Sequence, residues 1–302
     1  MSSIPTVSII IPSYNSARYL QAAVDSVLNQ TYRDIEVLVI DDGSTDDTTS
    51  VMARYGSQVR YIRQPNGGVA IARNRGIKES RGKFVAFLDA DDTWHPYKLE
   101  RQLSGLAAHA GRRACYSAFA VATSELTPFA MIRSRRQRST LEDLLRCGNV
   151  VGTPSTVVCE RSLFEEAGGF DPALSQCADW DMWVRLAAVT EFLYIDEPLT
   201  IYRQHGANMS RSAPLLERDS VRVLEKGFAM PALTDSLRAE RRAAFARNYM
   251  VLAGTYFHAR CYRGFARCAA RAVAMDFRQA GYLLAFPFRL ATRSRNHYTE
   301  PA

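Results

Sequence analysis

Three carboxylates fall within four residues, at Asp89, Asp91 and Asp92. Like charges held this close repel, and each makes its neighbours harder to ionise, so the group calls for a compensating charge. A divalent cation with oxygen ligands answers that need. Mg2+ in particular takes few protein ligands and completes its shell from phosphate and water. A solvated, inert turn is the plainer reading. It suits one Asp better than three. Asp91 is therefore read as a metal ligand, and Asp89 as a contact to a ribose or to the metal's water. Two further residues fit a nucleotide. Asp41 closes a second apolar run and can accept a hydrogen bond from a base or ribose. Arg73 follows Gly67-Gly68 by about one helical turn and can donate to the nucleotide; its plainer reading is a solvated helix arginine.

These residues need a frame that brings them together. The apolar run at residues 84–88, Phe-Val-Ala-Phe-Leu, reads as a buried strand of a parallel sheet that ends at the acids. Residues 7–11 form a β-branched strand stopped by Pro12 and a loop, Ser13-Tyr14-Asn15. Residues 17–30 carry apolar side chains at helical spacing, and 35–40 are a second strand ending in Asp41-Asp42-Gly43-Ser44-Thr45-Asp46. Ser44 or Thr45 is expected to cap the next helix. A short strand at 59–62 and a helix at 69–80 complete a strand–helix alternation over the first 92 residues. That is the pattern of a doubly wound α/β sheet. Parallel strands align their carboxyl ends, so the polar clusters at 12–15, 41–46 and 89–92 should meet in one crevice.

Beyond Trp94 the pattern loosens. Helices are expected at 98–110, 141–147, 161–167 and 179–188, with strands at 113–123 and 156–159. Two strands, 192–195 and 199–202, are expected on either side of Glu197-Pro198. Residues 126–138 lack periodicity and read as a mobile basic loop that carries Arg133, Arg135, Arg136 and Arg138. From 215 onward the chain reads as mostly helical. The expected division is a catalytic domain at 1–214 and a basic helical region at 215–302.

The net charge is +7, and it is unevenly placed: residues 216–302 hold 15 Lys and Arg against 7 Asp and Glu. That asymmetry suits an anionic partner surface. No helix-turn-helix, zinc-finger or RNA-binding signature accompanies it, so no nucleic-acid partner is expected. The six cysteines are scattered without a CxxC pair, which suits reduced thiols in a cytoplasmic protein better than zinc or a disulfide framework. No signal peptide is read at the start, and no apolar stretch approaches the ~20 residues of a membrane span. GxGxxG after the first strand and GxxxxGK[ST] are both missing. This argues against a dinucleotide-binding dehydrogenase and a P-loop enzyme.

Six segments in order carry a resemblance: VSIIIPSYN at 7–15, DDGSTD at 41–46, GGVAIARNRG at 67–76, FLDADD at 87–92, DWDMWVRL at 179–186 and YRQHGANMS at 202–210. Together they resemble a family-two glycosyltransferase of the GT-A fold, over about the first 210 residues. The resemblance implies a Rossmann-like α/β fold with a mixed, mainly parallel sheet flanked by helices. It also implies an inverting transfer of a sugar from a nucleotide-diphosphate sugar, a UDP-sugar by preference, with Mn2+ or Mg2+. Pro12, Ser13, Tyr14, Asn15, Asp41, Gly68, Arg73, Asp89 and Ala90 would hold the donor nucleotide. Asp91 and His205 would hold the metal, and Asp92 and Trp180 would face the acceptor. An inverting transfer needs a base for the acceptor hydroxyl. Asp179 matches the family's base position, although the Glu that usually precedes it is Ala178 here; Asp181 is the reserve.

The acceptor implied is a glycan or polyprenyl-linked hydroxyl in surface polysaccharide synthesis. The basic region then has two readings, a solvated helical appendage or a peripheral contact with an anionic membrane on its cytoplasmic face, where residues 263–267 and 282–295 mix Arg with Phe and Leu. Two alternatives stand beside the leading one. A sugar nucleotidyltransferase would carry a Gly- and Arg-rich triphosphate loop where Pro12-Ser13-Tyr14-Asn15 stands. A non-catalytic carbohydrate- or membrane-binding protein on the same scaffold would have no use for the acids.

Overall fold

A computed structural model describes residues 4–134, 138–206 and 212–285. The chain divides into two compact units, one of residues 1–140 with 151–206 and one of residues 141–150 with 207–302.

The first unit is built on one sheet. Its strands are β1 (Val7–Ser13), β2 (Ile35–Asp41), β3 (Arg60–Arg63), β4 (Phe84–Phe87), β5 (Thr93–Trp94), β6 (Ala114–Ala122), β7 (Pro128–Ile132), β8 (Arg138–Ser139), β9 (Val157–Glu160) and β10 (Phe192–Arg203). The order across the sheet is β3-β2-β1-β4-β9-β6-β10-β5, with β7 on β6 and β8 on β10. The helices are α1 (Ala17–Leu28), α2 (Thr48–Ala53), α3 (Val69–Glu79), α4 (Lys98–Ala108), α6 (Ser162–Ala167) and α7 (Ala178–Ala187), while α5 (Leu141–Cys147) belongs to the second unit.

β1 is buried along its whole length, as a β-branched run between two helical layers must be. Ile9 and Ile11 share a core with Leu20, Ala23, Val24 and Val27 of α1. Ile10 points the other way, toward α3. There a Cβ on Gly76 would lie 2.3 Å from Ile10 Cγ2, so only glycine lets α3 approach this closely. Each fully buried Ile contributes about 1.5–3 kcal/mol through the apolar surface it removes from water.

Strand direction decides which residues share an edge. β1, β2 and β4 are parallel, with Ser13 opposite Asp41 and Ile10 opposite Phe87. β9 runs antiparallel to both β4 and β6, and β10 is parallel to β6. β10 therefore runs in the same sense as β4. The ends of β1, β2, β4 and β10 and the start of β9 all open on one edge.

Three expectations from the sequence need correction. Residues 192–203 form one strand, because Glu197-Pro198 is absorbed by register shifts against β6 between Ile195 and Thr200. A bulge tolerates a proline that cannot donate to the ladder. Residues 128–132 are a strand, not a loop; β7 turns back on β6 through Leu126, whose φ is 63°. Arg135 and Arg136 lie outside the described residues. α2 starts at Thr48, not beside Ser44 or Thr45. Asp46 Oδ1 accepts the Thr48 backbone N–H at 3.1 Å, and Ser44 Oγ instead accepts the Asn15 N–H at 2.9 Å.

One buried cation stands out beneath the sheet edge. Lys98 is fully buried, with its Nζ 2.5 Å from Gln102 Oε1 and 4.1 Å above the Trp94 ring. Among the described residues it has no carboxylate partner, and burial holds its pKa down to about 7. Between pH 7 and about 10 the unfolded chain keeps a proton here that the folded chain has released, so stability rises with pH across that window. Urea midpoints at pH 7, 8 and 9 should rise in wild type relative to Lys98→Met, by at most about 1.4 kcal/mol per pH unit. Parallel curves would show that Lys98 stays charged in the fold.

The second unit consists of α5, α8 (Ala213–Phe228), α9 (Asp235–Ala239), α10 (Arg241–His258), α11 (Tyr262–Met275) and α12 (Gln279–Leu284). α10 and α11 pack closely, since a Cβ on Gly264 would lie 2.4 Å from the Tyr256 ring. Glu217 gathers Arg267, Arg271 and the Tyr256 hydroxyl. No helix among the described residues is long and apolar enough to cross a membrane. Residues 286–295 of the basic tail lie outside the described residues.

Candidate active site

The loop that follows β4 carries the acids. Asp89 pairs with Arg73 of α3 at 2.7 Å and receives a weaker hydrogen bond from Thr153 Oγ1 at 3.4 Å. The Arg73 guanidinium also sits 5.4 Å from the Phe170 ring centroid, and its Nε is buried without a hydrogen-bond partner. Arg73 is thus no solvated helix arginine; it is 5% exposed and faces the acid cluster. Asp91 Oδ2 lies 2.9 Å from His205 Nε2, which brings together residues 114 positions apart. β10 makes that possible, because it delivers His205 to the edge where β4 delivers Asp91.

Asp92 is placed differently from the sequence expectation. It is fully buried, with Ser155 Oγ donating at 2.6 Å and the Arg203 backbone N–H donating at 3.0 Å. A carboxylate closed in this way fastens the loop to Ser155, just before β9, and to β10. Ser155 Oγ also accepts the Asp89 N–H at 3.0 Å, and the Arg203 Nε donates to the Asp91 carbonyl at 2.7 Å. Burial pushes the Asp92 carboxyl well above the usual range, and the charges of Asp91 and Asp89 push it further. Asp91 is raised by the same two causes, burial first and then Asp89, against the opposing pull of His205. Ala90, between the acids, is buried.

The loops after β1 and β2 are tied to each other. Asn15, at φ 49°, donates its N–H to Ser44 Oγ and accepts the Thr45 N–H at 2.7 Å. Pro12 and Ser13 are buried, Ser13 Oγ has no partner among the described residues, and Tyr14 is 52% exposed at the edge. Asp41, expected at the base, is fully buried and already engaged. Oδ1 accepts the Ser44 N–H at 2.8 Å, and Oδ2 takes the Tyr61 hydroxyl and lies 3.7 Å from Arg63 Nε. Its neighbour Asp42 shapes the glycine loop, accepting the N–H groups of Gly67 at 3.0 Å and Gly68 at 2.7 Å. Gly68 sits at φ 91° immediately before α3, a conformation that favours glycine.

Asp179 lies in the first turn of α7, partly exposed, with Oδ1 2.8 Å from the Trp180 N–H. Trp180, expected at the acceptor, is buried. Asp181 is also buried, and Arg185 binds it through Nη2 at 2.6 Å and Nε at 2.9 Å. α7 connects to Arg73 through packing, since Trp183 meets Phe170 edge-on and Phe170 lies under Arg73.

Several residues of the site escaped the sequence. Ser155 sits in a Thr-Pro-Ser-Thr stretch and Arg203 in the Tyr-Arg-Gln-His segment, and a small polar residue or Arg beside a motif was their only signal. Tyr61 had none.

A resident cation is tested by its donors. Among the described residues no three His, Cys, Asp or Glu side chains converge to hold a metal. Asp91 and His205 do converge, with Asp89 adding a second negative charge. Two protein ligands beside a second carboxylate fit a Mg2+ or Mn2+ that completes its shell from diphosphate and water.

The family profile described as glycosyl transferase family 2 matches residues 8–168. An uncharacterised glycosyltransferase of Rickettsia prowazekii is 32% identical over 228 residues, covering 74% of this chain and 71% of the relative. TuaG of Bacillus subtilis, named for a glycosyltransferase of teichuronic acid biosynthesis, is 32% identical over 191 residues, covering 60% and 72%. Residues 1–349 of S. aureus TarS in complex with UDP-GlcNAc superpose with a TM-score of 0.62 at 16% identity, over 91% of this chain and 92% of that one. The mannosyltransferase PcManGT of Pyrobaculum calidifontis, in complex with GDP-Man and Mn2+, superposes with a TM-score of 0.59 at 20% identity, over 96% and 84%. The chain is a glycosyltransferase of the GT-A fold and belongs to glycosyl transferase family 2.

Proposed function

We propose that the chain is a metal-dependent inverting glycosyltransferase that moves a sugar from a nucleotide-diphosphate sugar to a hydroxyl of a glycan or lipid-linked acceptor. The observation that carries this reading is the meeting of Arg73, Asp89, Asp91 and His205 at one sheet edge, with Asp91 and His205 2.9 Å apart. Asp91 and His205 hold the cation, while Arg73 and Asp89 hold the ribose side of the nucleotide. A divalent cation bound there would offset the charge that grows on the leaving diphosphate. Asp179 takes the proton of the acceptor hydroxyl as that oxygen bonds to the anomeric carbon from the face opposite the diphosphate. The bond from that carbon to the diphosphate oxygen breaks with its electron pair, and the nucleoside diphosphate departs. Asp181 is a poor candidate for this step, because Arg185 already claims its carboxylate.

A UDP-sugar is the first donor to try, given the UDP-GlcNAc complex of TarS; the GDP-Man complex of PcManGT makes GDP-sugars the second. TuaG supports a place in polysaccharide biosynthesis. A donor panel with Mn2+ tests the reaction. Nucleoside diphosphate release, with a product of inverted anomeric configuration by NMR, is expected. Pyrophosphate release would point to a nucleotidyltransferase, and carbohydrate binding without any turnover would point to a non-catalytic protein.

Peripheral membrane contact on the cytoplasmic face belongs to the same proposal. It is motivated by the exposed cations Arg260 and Arg263 beside Tyr262, and by exposed Phe277 and Leu284. Co-sedimentation with vesicles containing anionic lipid, lost in high salt, is expected; no pelleting at low salt would remove this part.

A further inference from the structure

Tyr19, on α1, has no role in the assignments above, yet three cationic or ionisable groups converge on its ring. The His205 imidazole is stacked on it, with centroids 4.6 Å apart and planes 27° from parallel. The Arg203 guanidinium lies 4.8 Å from the same centroid, and that of Arg18 5.2 Å. We propose that Tyr19 is a positioning residue: its ring sets the plane of His205 and so aims Nε2 at the cation held with Asp91. The proposal rests on the reading of Asp91 and His205 as the cation site.

The need for such a device follows from the chain. β10 ends at Arg203 and the Gln204 N–H still donates to the Ala122 carbonyl of β6, so His205 stands one residue past the last backbone bond to the sheet. A metal ligand must present one nitrogen in one direction. A stacked aromatic face removes the ring's rotation, and such contacts are worth about 0.5–1.5 kcal/mol beyond area burial. The same ring steadies Arg203, which grips the Asp91 carbonyl through Nε and the Ser124 carbonyl through Nη1 at 2.5 Å. Tyr19 therefore backs both sides of the contact, the histidine and the arginine that fixes the acid loop. Its hydroxyl makes no hydrogen bond among the described residues, so the ring alone carries the effect.

An ordinary packing role predicts a different outcome from a positioning role. Loss of packing would lower stability and weaken nucleotide binding equally with and without metal. Loss of positioning would erode only the gain that metal confers. The readout is the ratio of nucleoside diphosphate affinities in Mn2+ and in EDTA by calorimetry, with UDP, or GDP where the wild type binds only that. Tyr19→Ala should cut this ratio up to about tenfold, the equivalent of ~1.4 kcal/mol. Tyr19→Phe should keep it within about twofold, and His205→Ala should lose at least as much as Tyr19→Ala. Tyr19→Leu, which retains apolar bulk, stands in if Tyr19→Ala does not fold. An unchanged ratio in Tyr19→Ala or Tyr19→Leu beside a reduced one in His205→Ala overturns this proposal alone. An unchanged ratio in His205→Ala overturns the cation site, and this proposal with it.

Discussion

Asp91→Ala is expected to abolish transfer, with kcat/KM down by about 10³-fold or more, because a catalytic metal site supplies several kcal/mol of charge stabilisation. Metal-dependent nucleotide binding should disappear with it. The fold should not suffer. Asp91 is partly exposed, its carboxyl is pushed up by burial and by Asp89, and its side chain meets His205. A carboxylate whose folded pKa is raised costs stability once ionised, so removing it at pH 7 relieves repulsion within the loop. The variant should therefore melt at the same temperature as wild type or higher. That pairing of outcomes matters, since a destabilised variant would lose activity for an uninformative reason. Full activity in Asp91→Ala would sink the metal assignment.

Asp179→Asn is expected to lose about 10²–10⁴-fold in kcat, the usual contribution of a general base, while donor affinity and melting temperature stay at wild-type values. Asp181→Asn should behave in the opposite way. Its carboxylate is buried against Arg185, so the substitution weakens a charge-assisted pair and should cost about 1–3 kcal/mol of stability, with little change in kcat per folded molecule. Kinetics on the two variants with urea denaturation alongside separate these roles. If Asp181→Asn instead stops transfer with the fold intact, the base is Asp181 and the orientation of α7 toward the acceptor needs revision.

The donor half of the molecule was legible because its signals are local. An apolar run that ends in acids is a strand end, and parallel strands must share their ends, so the meeting of the clusters after β1, β2 and β4 followed from patterns within the first 92 residues. The remainder depended on distant partners. Nothing near Asp92 says that it is the buried member of the three; Ser155 and Arg203, which close over it, lie 63 and 111 residues away. Asp41 was equally silent about its neighbours, because the Tyr61 hydroxyl that bonds it arrives on β3. In both cases residue type announced an acid at a strand end, and only the fold revealed the hydrogen bonds that hold it.

Strand boundaries failed for a related reason. Glu197-Pro198 breaks an isolated strand, yet β10 carries it through a shift of register because β6 supplies a continuous partner on that side. β7 shows no alternation because all five of its residues, Pro-Phe-Ala-Met-Ile, are apolar although the strand lies largely in solvent. Tyr19 is the clearest case of a residue silent in sequence. It sits among ordinary helix positions, and only the folded chain sets it against His205 and Arg203.

The central claim is that Asp91 and His205 hold a cation which in turn holds the donor's diphosphate. Calorimetric titration of the wild-type chain with UDP and GDP, in Mn2+ and again in EDTA, addresses it directly. Binding of one nucleotide that strengthens at least about tenfold with Mn2+, a difference of ~1.4 kcal/mol, is the predicted result. Equal affinity in Mn2+ and EDTA, or no binding of either nucleotide, would contradict the account.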